Sequence, residues 1–434
     1  MVDVAPVFPR AEHAQLDRAG WRGKLSATAL LVLVPLGVFL AYTSMSTVEM
    51  PLRRPGYATL VLWSALLVMF RWRRLKVPSR TAKAMLWWVA LLVGYAAIST
   101  LQPIIYPGYI AGDAASLLLP MFYLLLAYSA PELFEGRTTA YVLGGLMGLA
   151  ACVGALSPDY AGRFEPPSVL LITMAWVWLV KSGTGLGKVL SWLCLLAVFA
   201  LAFESQKRTH VVVFFIAGAV IFIVKRRTGL VIAATVAAVL LVAAYNDLYR
   251  PIDFMGMFSD TRFKTLTEGQ TDTSVENRYL EAKDAIRTAK DEWTGFQFVT
   301  GYGHGATYKP FYSYIDRTVT DDMRNHNIHI GPVLSFFRYG LIGFSIFLWL
   351  CFAIFREHIR LRRRRYGPTG PELFYVVGMG MYLLDFCVRN AIVDPGFSLT
   401  IAGFLYICRR RTRLGGGKSS PAERRTVVQS LEAC

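Results

Sequence analysis

The stretch that decides the fold is polar and lies late in the chain. It opens Asp247-Leu-Tyr-Arg250, carries Thr273-Ser-Val-Glu-Asn-Arg-Tyr-Leu-Glu281, and closes Asn325-His-Asn-Ile-His329. The sequence then returns to apolar residues at Gly331-Pro332, and the chain before the stretch is likewise a succession of hydrophobic runs. A polar insert of this length is too long for a mere connector between packed elements. We read residues 246–329 as the working loop of a membrane enzyme.

Of the 434 residues, 54% are hydrophobic, too many and too evenly spread for a soluble domain with one anchor. Runs of about 20 apolar residues span a bilayer. The sequence offers about twelve, at roughly 25–43, 56–71, 84–101, 113–130, 139–156, 166–181, 187–203, 210–224, 229–245, 330–355, 372–388 and 395–408, several of them short enough to need tilt, thinning or aromatic anchoring. The fold class expected is therefore an all-α polytopic membrane protein, with a large, partly helical outer loop between helices 9 and 10. The expected division is a cytoplasmic arm at 1–24, helices 1–9 over 25–245, the loop at 246–329, helices 10–12 over 330–408, and a disordered cytoplasmic tail at 409–434. The polar arm ahead of the first run argues against a cleaved signal peptide.

The net charge of +17 would suit nucleic acid if it were gathered on one face. Here it is parcelled between the runs, in blocks such as Arg71-Trp-Arg-Arg-Leu-Lys76 and Arg362-Arg-Arg-Arg365. Basic loops stay on the cytoplasmic side. Alternating the spans on that rule puts both termini inside and 246–329 outside, with the basic blocks against anionic inner-leaflet lipid. Of the six cysteines, Cys152, Cys194, Cys351, Cys387 and Cys408 fall in runs and Cys434 ends the chain. None lies in the loop, so no disulfide staples it. CxxC and HExxH are both missing, and no zinc site is expected.

One helix is well signalled inside the loop. Thr273 with Glu276 forms a capping box, and Val275, Tyr279, Ala282, Ile286, Ala289 and Trp293 follow at helical spacing. The pattern predicts a helix over about 274–292 whose apolar stripe rests on the membrane surface or on the span tops. Gly295 and Gly301-Tyr-Gly-His-Gly305 break the chain after it. The glycine run neither follows a strand nor opens a helix, so it is read as a turn and not as a nucleotide fingerprint.

Several side chains bear on chemistry. Arg278 sits near the amino end of that helix, where a cation is at odds with the macrodipole unless an anion binds there; the plain alternative is an exposed pair with Glu281. His326 and His329 stand just before the next run, with Asp321-Asp322 the nearby acidic pair. Histidine is the natural base near neutral pH; an interfacial hydrogen-bonded histidine and a metal ligand are the alternatives, and no third ligand cluster is evident. Arg208 and Lys207 follow the seventh span, where snorkelling to headgroups is the plain reading. Arg338 and Asp385 are ionisable residues inside apolar runs, which are functional or paired by default. At 1.5 Å rise per residue they fall roughly 12 Å and roughly 6–9 Å below the outer surface, and a mutual pair is expected.

These residues resemble the superfamily of O-antigen ligases and lipid-linked polysaccharide polymerases, bacterial membrane glycosyltransferases. The likeness rests on the span layout, on Asn277-Arg-Tyr-Leu280, on the Gly301-Tyr-Gly303 turn, and on His326-Asn followed by Gly340-Leu-Ile-Gly343. The family's Ser-Arg near the eighth span is split here into Ser205-Gln-Lys-Arg208, which leaves Arg208 or Lys207 for that role. The resemblance implies a type C glycosyltransferase-like fold in the bacterial inner membrane, with the site facing the periplasm. It implies an undecaprenyl-diphosphate-linked glycan donor, a glycan or lipid-linked glycan acceptor, inversion, and no metal or other cofactor. His326 would be the base, Arg278 and Arg208 (with Lys207) would bind the diphosphate, and His329, Arg338 and Asp385 would support them. Polymerisation of surface polysaccharide is the leading activity; transfer to lipid A-core is the alternative. A lipid-linked glycan flippase would call for inverted repeats and mid-membrane charges, and neither is apparent.

The charge pattern makes a topological prediction. An impermeant thiol reagent should modify a cysteine introduced in 246–329 and spare one in 356–371. Labelling in the opposite sense would refute the assignment.

Overall fold

The computed structural model describes residues 53–102, 107–131, 168–181, 208–224, 273–311, 324–326, 328–363, 369–388 and 395–416, with single positions at 134, 185, 189, 192, 193, 195 and 196. In chain order the helices are α1 (Arg53–Phe70), α2 (Ser79–Ser99), α3 (Pro107–Ser129), α4 (Ser168–Lys181), α5 (Arg208–Val224), α6 (Thr273–Glu292), α7 (Gly295–Thr300), α8 (Gly331–Arg363), α9 (Gly370–Val388) and α10 (Pro395–Gly416). Among the described residues there is no strand; one isolated antiparallel bridge joins Tyr308 to Asn325.

Four of these helices, α2, α3, α8 and α9, are long and apolar enough to cross a membrane. The runs at 25–43, 139–156 and 229–245 lie outside the described residues, as do most of 187–203 and the whole of 246–272 and 312–323. The backbone of α10 continues to Gly416, past the expected start of the tail.

The helices pack through small residues, as apolar helices do where close backbone approach replaces a hydrophobic driving force. Gly378 of α9 faces Thr400 of α10 and Thr173 of α4, at 3.2 and 3.5 Å from where a Cβ would stand. Gly403 of α10 lies directly under the Tyr375 ring. Around these contacts Tyr123, Leu119, Leu170, Ile172, Tyr382 and Phe404 are fully buried. The outward residues are apolar too: Leu86, Trp87, Phe352 and Phe355 are all exposed. An apolar exterior of this kind suits lipid as solvent.

Helix α6 starts and stops within a residue of the expected 274–292, and of its expected stripe Ala282, Ala289 and Trp293 turn inward while two large residues do not. Ala282, Ala285 and Ala289 face inward, whereas Tyr279 and Ile286 are exposed. The small alanines let α6 lie close to the aromatic cluster of Tyr302, Tyr308 and Phe337 with Ile328 and Leu334. The stripe thus rests on the turn, on the exit segment and on the first part of α8. The side chains of Thr273 and Glu276 lie outside the described ones.

The apolar run expected as a single tenth span is broken. Gly340 has φ 58° and ψ −152°, so α8 is two helices meeting at a sharp bend. The bend frees carbonyls that a continuous helix would have satisfied. They find other donors: the Tyr302 N–H on Phe337 O at 3.2 Å, the Gly303 N–H on Arg338 O at 2.7 Å, and the Tyr95 hydroxyl on Tyr339 O at 3.0 Å. The glycine run has thereby become a plug in the bend. Gly301, Gly303 and Gly305 all have positive φ, and a Cβ on Gly303 would stand 2.6 Å from the Ser99 hydroxyl and from the Tyr95 carbonyl.

Gly340→Ala is expected to destabilise the protein. The positive φ alone costs about 1–3 kcal/mol for a side-chain-bearing residue, and the new methyl would strike the Val299 carbonyl. Gly94→Ala, in a helix with open space around it, should be neutral or mildly stabilising. Thermal unfolding of the two purified variants compares them directly.

Candidate functional site

The Gly301–Gly305 turn reaches from the polar segment to the ends of α2 and α3. The Gln102 side-chain amide, just past α2, donates to the carbonyls of Tyr302 and His304, each at 3.0 Å. The buried His304 ring sits between the Leu92 carbonyl and the Tyr339 hydroxyl, 3.2 Å from each. The Gly305 N–H donates to Asp113 Oδ2 at 2.7 Å. Apart from the His304–Tyr339 contact these bonds join residues 192 to 212 positions apart, and those made by the turn's own N–H and carbonyls explain why it needs glycine: the backbone itself is what is recognised.

Asp113 lies near the amino end of α3 and is buried. Its Oδ1 receives Arg338 Nη1 at 2.7 Å, and both side chains are almost inaccessible, at 7% and 4% exposure. Arg338 was expected to pair with Asp385. Its carboxylate partner is Asp113 instead. The expectation assumed a straight tenth helix, and the bend at Gly340 puts Arg338 at the end of the first piece of α8, facing α3. Asp385 is buried on α9.

His326 completes this cluster. Mutual backbone bonds of 2.8 Å between Tyr308 and Asn325 set the exit segment beside the stretch after the turn. His326 Nδ1 then faces the Ala306 carbonyl at 3.1 Å, and Nε2 faces Arg338 Nη2 at 3.0 Å. Nη2 also stands 3.4 Å from Nδ1, but the nearer partner there is a carbonyl, which can only accept, so Nδ1 carries the proton and Nε2 the lone pair. The ring stacks on Tyr109 of α3 with centroids 4.2 Å apart and planes 2° from parallel. Burial, and next the neighbouring Arg338 charge, push the imidazole down to about 4. His326 is thus neutral near pH 7, the form that takes up a proton.

A second cluster flanks the same exit. His329 Nδ1 meets Glu281 Oε2 at 2.7 Å, joining the exit to α6. One turn back along α6, Arg278 Nη1 donates to the Val388 carbonyl at 3.1 Å, at the end of α9. A cation there meets the exposed carbonyls and the negative end of the α9 dipole. Gly331, which opens α8, lies flush against Phe386 of α9. A third group ties the segment together: Arg324 bridges Glu292 at 2.8 and 3.2 Å, and the Tyr302 hydroxyl donates to the same carboxylate at 2.7 Å. Burial acts to raise the Glu292 carboxyl, but hydrogen bonds from Arg324 and Tyr302 and the Arg324 charge outweigh it and hold it below its usual range.

Of the expected site residues, the structure brings His326 beside Arg338, and His329 beside the helix that carries Arg278. The backbone of Arg208 opens α5; its side chain, Lys207, and the Asp321-Asp322 pair lie outside the described residues. No group of three or more His, Cys, Asp or Glu among the described residues is arranged to hold a metal ion. Asp113 and Tyr109 were not anticipated. The signal for Asp113 was available: it is a lone carboxylate in an apolar run, and the rule that flags Arg338 flags it equally. Nothing in the sequence marks Tyr109, since a stacking partner is set by tertiary approach.

Residues 192–348 match the model of a protein family described as O-antigen ligase. The matched segment contains Arg208, Arg278, the glycine turn, His326 and Arg338; Tyr109, Asp113 and Asp385 lie outside it. No curated protein and no solved structure matches the chain.

The lowered histidine has a consequence for stability. The unfolded ring titrates near 6.5 and the folded ring near 4, so below 6.5 the unfolded state binds more protons. The contribution is complete above 6.5 and is lost as pH falls through that window. Buried His304, also pushed down by burial, acts in the same direction. The melting temperature should therefore fall between pH 6.5 and 4, and His326→Gln should flatten that slope. An unchanged slope would place the ring in water.

Proposed function

We propose that this chain, a member of the O-antigen ligase and polymerase superfamily, is an inverting glycosyltransferase of the bacterial inner membrane that takes its glycan from a lipid diphosphate. The observation that carries the reading is His326. It is a neutral imidazole at the exit of the polar segment, beside Arg338, and three residues on His329 ties the same exit to the helix of Arg278.

The chemistry follows from the charges. The acceptor sugar hydroxyl attacks the anomeric carbon of the donor, and its proton passes to Nε2 of His326. The carbon–oxygen bond to the diphosphate breaks, and the diphosphate leaves with the electron pair. One displacement inverts the anomeric centre. The leaving group needs no proton if cations meet its charge. Arg278 takes that part in this scheme: among the described residues its guanidinium meets a backbone carbonyl, and it is partly accessible. Arg208, or Lys207 beside it, is the second cation in this scheme, at the start of α5. Arginines supply the neutralisation that a divalent ion gives elsewhere, so no metal is invoked. A bound diphosphate adds negative charge near His326 and draws the ring back up toward neutral pH, which improves it as a base.

The acceptor is a second lipid-linked glycan in the first reading, which makes the protein a polysaccharide polymerase working at the periplasmic face. Transfer to lipid A-core is the second reading, and the description of the matching family favours it. Purified protein given labelled lipid-linked donor alone should build a ladder of products if it polymerises. A single shift that requires added lipid A-core would mark a ligase.

The roles of Arg278 and His326 separate in kinetics. Arg278→Ala should weaken donor binding as well as transfer, because the diphosphate is charged before and during reaction. Arg278→Lys should recover part of both, keeping charge without the bidentate fork. His326→Ala should spare donor binding and lower turnover by about 10²–10⁴-fold. Wild-type turnover in His326→Ala would remove it as the base and leave His329 as the next candidate.

A further inference from the structure

The base proposed above has both ring nitrogens engaged by the protein itself. Nδ1–H donates to the Ala306 carbonyl, and Nε2 accepts from Arg338. An sp² nitrogen has one lone pair, so an acceptor hydroxyl can use Nε2 only when Arg338 gives it up. The surroundings of Arg338 allow that without breaking its main anchor. Nη1 is fixed on Asp113 at 2.7 Å, and Nη2 already has a second acceptor, the His326 carbonyl at 3.2 Å. Asp113 is itself fixed through Oδ2 by the Gly305 N–H at 2.7 Å. A small turn of the guanidinium thus exchanges one acceptor for another. Once Nε2 carries the proton, the nearest carboxylate oxygen is Asp113 Oδ1, at 3.7 Å.

We propose that Arg338, clamped by Asp113, is the positioning residue for His326: it selects the tautomer with the proton on Nδ1, guards the Nε2 lone pair at rest, and yields it to the acceptor hydroxyl. Asp113 serves twice. It holds the guanidinium while the ring is neutral, and it faces the imidazolium after the proton has moved. The charged and titratable groups around the ring are Tyr109 and Asp113 of α3 and Arg338 of α8. The stack on Tyr109 keeps the ring in the plane where these contacts are made. This assignment rests on the reading of His326 as the base. It adds two residues to that reading, of which Asp113 lies outside the segment that matches the family.

The test is a nitrogen-15 histidine spectrum of the purified full chain in lipid nanodiscs, with His326 assigned by its loss in His326→Gln. The wild type should show one tautomer, protonated at Nδ1, titrating well below 6.5. Arg338→Gln should mix the tautomers and raise the midpoint by roughly one pH unit or more, because a cation at hydrogen-bond range is gone. Arg338→Lys should restore much of the midpoint and less of the tautomer preference. In transfer assays Arg338→Gln should lower kcat more than it raises KM and move the acid limb of the pH profile with the spectral midpoint. Asp113→Asn/Arg338→Gln removes both charges and serves if the single variant, left with an unpaired buried carboxylate, does not fold. An unchanged tautomer and midpoint in a folded Arg338 variant would overturn the proposal. Full transfer by His326→Gln would overturn the base assignment beneath it, and the spectrum, which does not depend on activity, tells the two failures apart.

Discussion

Asp113 and Arg338 form a buried ion pair between residues 225 positions apart, and the local architecture answers to its demands. Two charges taken out of water cost several kcal/mol each unless their remaining hydrogen-bonding capacity is met. The carboxylate meets its own through the Gly305 N–H, and that bond requires the glycine turn to lie against α3. The guanidinium turns Nη2 on the His326 ring and carbonyl, so the exit segment must lie there too, while its Nε–H is buried without a partner among the described residues. The turn, the exit and the start of α8 are therefore positioned by one electrostatic constraint. Alternatives that leave either charge alone are far more costly than the strain at the glycines.

The bend in α8 belongs to the same arrangement. Arg338 stands two residues before Gly340, at the end of the first helical piece, where a cation is favoured by the helix dipole. The break exposes three carbonyls, and the donors that satisfy them come from the glycine turn and from Tyr95 of α2. The bend and the turn need each other. One apolar run supplies both a short piece that builds the site and a long helix that packs against α9.

The proposed function draws on the two faces of the exit segment. One face holds a neutral histidine against a buried arginine. The other holds His329 on Glu281, with Arg278 one turn away reaching the end of α9. In the proposed reaction the neutral histidine would be the base and the partly accessible guanidinium would meet the charge of the departing diphosphate. The aromatic cluster around Phe337 and the Arg324–Glu292 bridge fix those elements on the helices. A site that must stabilise charge cannot rest on a loose loop, because reorganising the cations would forfeit the stabilisation they supply.

The sequence alone determined what is local or periodic. Apolar runs and basic blocks established a helical membrane protein. A 3.6-residue pattern located α6 within a residue at each end, and the glycines marked the turn. His326, Arg278 and Arg338 stood out because their residue types are rare in such places. What the sequence left undecided is relative orientation. Counting along a helix gives depth but not direction: it pairs Arg338 with Asp385, whereas the bend at Gly340 turns Arg338 toward Asp113. The same holds for α6, where periodicity favoured the large residues Tyr279 and Ile286 for the buried face. The tertiary structure kept Ala282 and Ala289 of that pattern, added Ala285 and left the large pair outside, because an aromatic cluster leaves room only for small side chains. Pairing across 225 positions is decided by packing and by the cost of burying a charge alone, and neither is written in any one stretch of the chain.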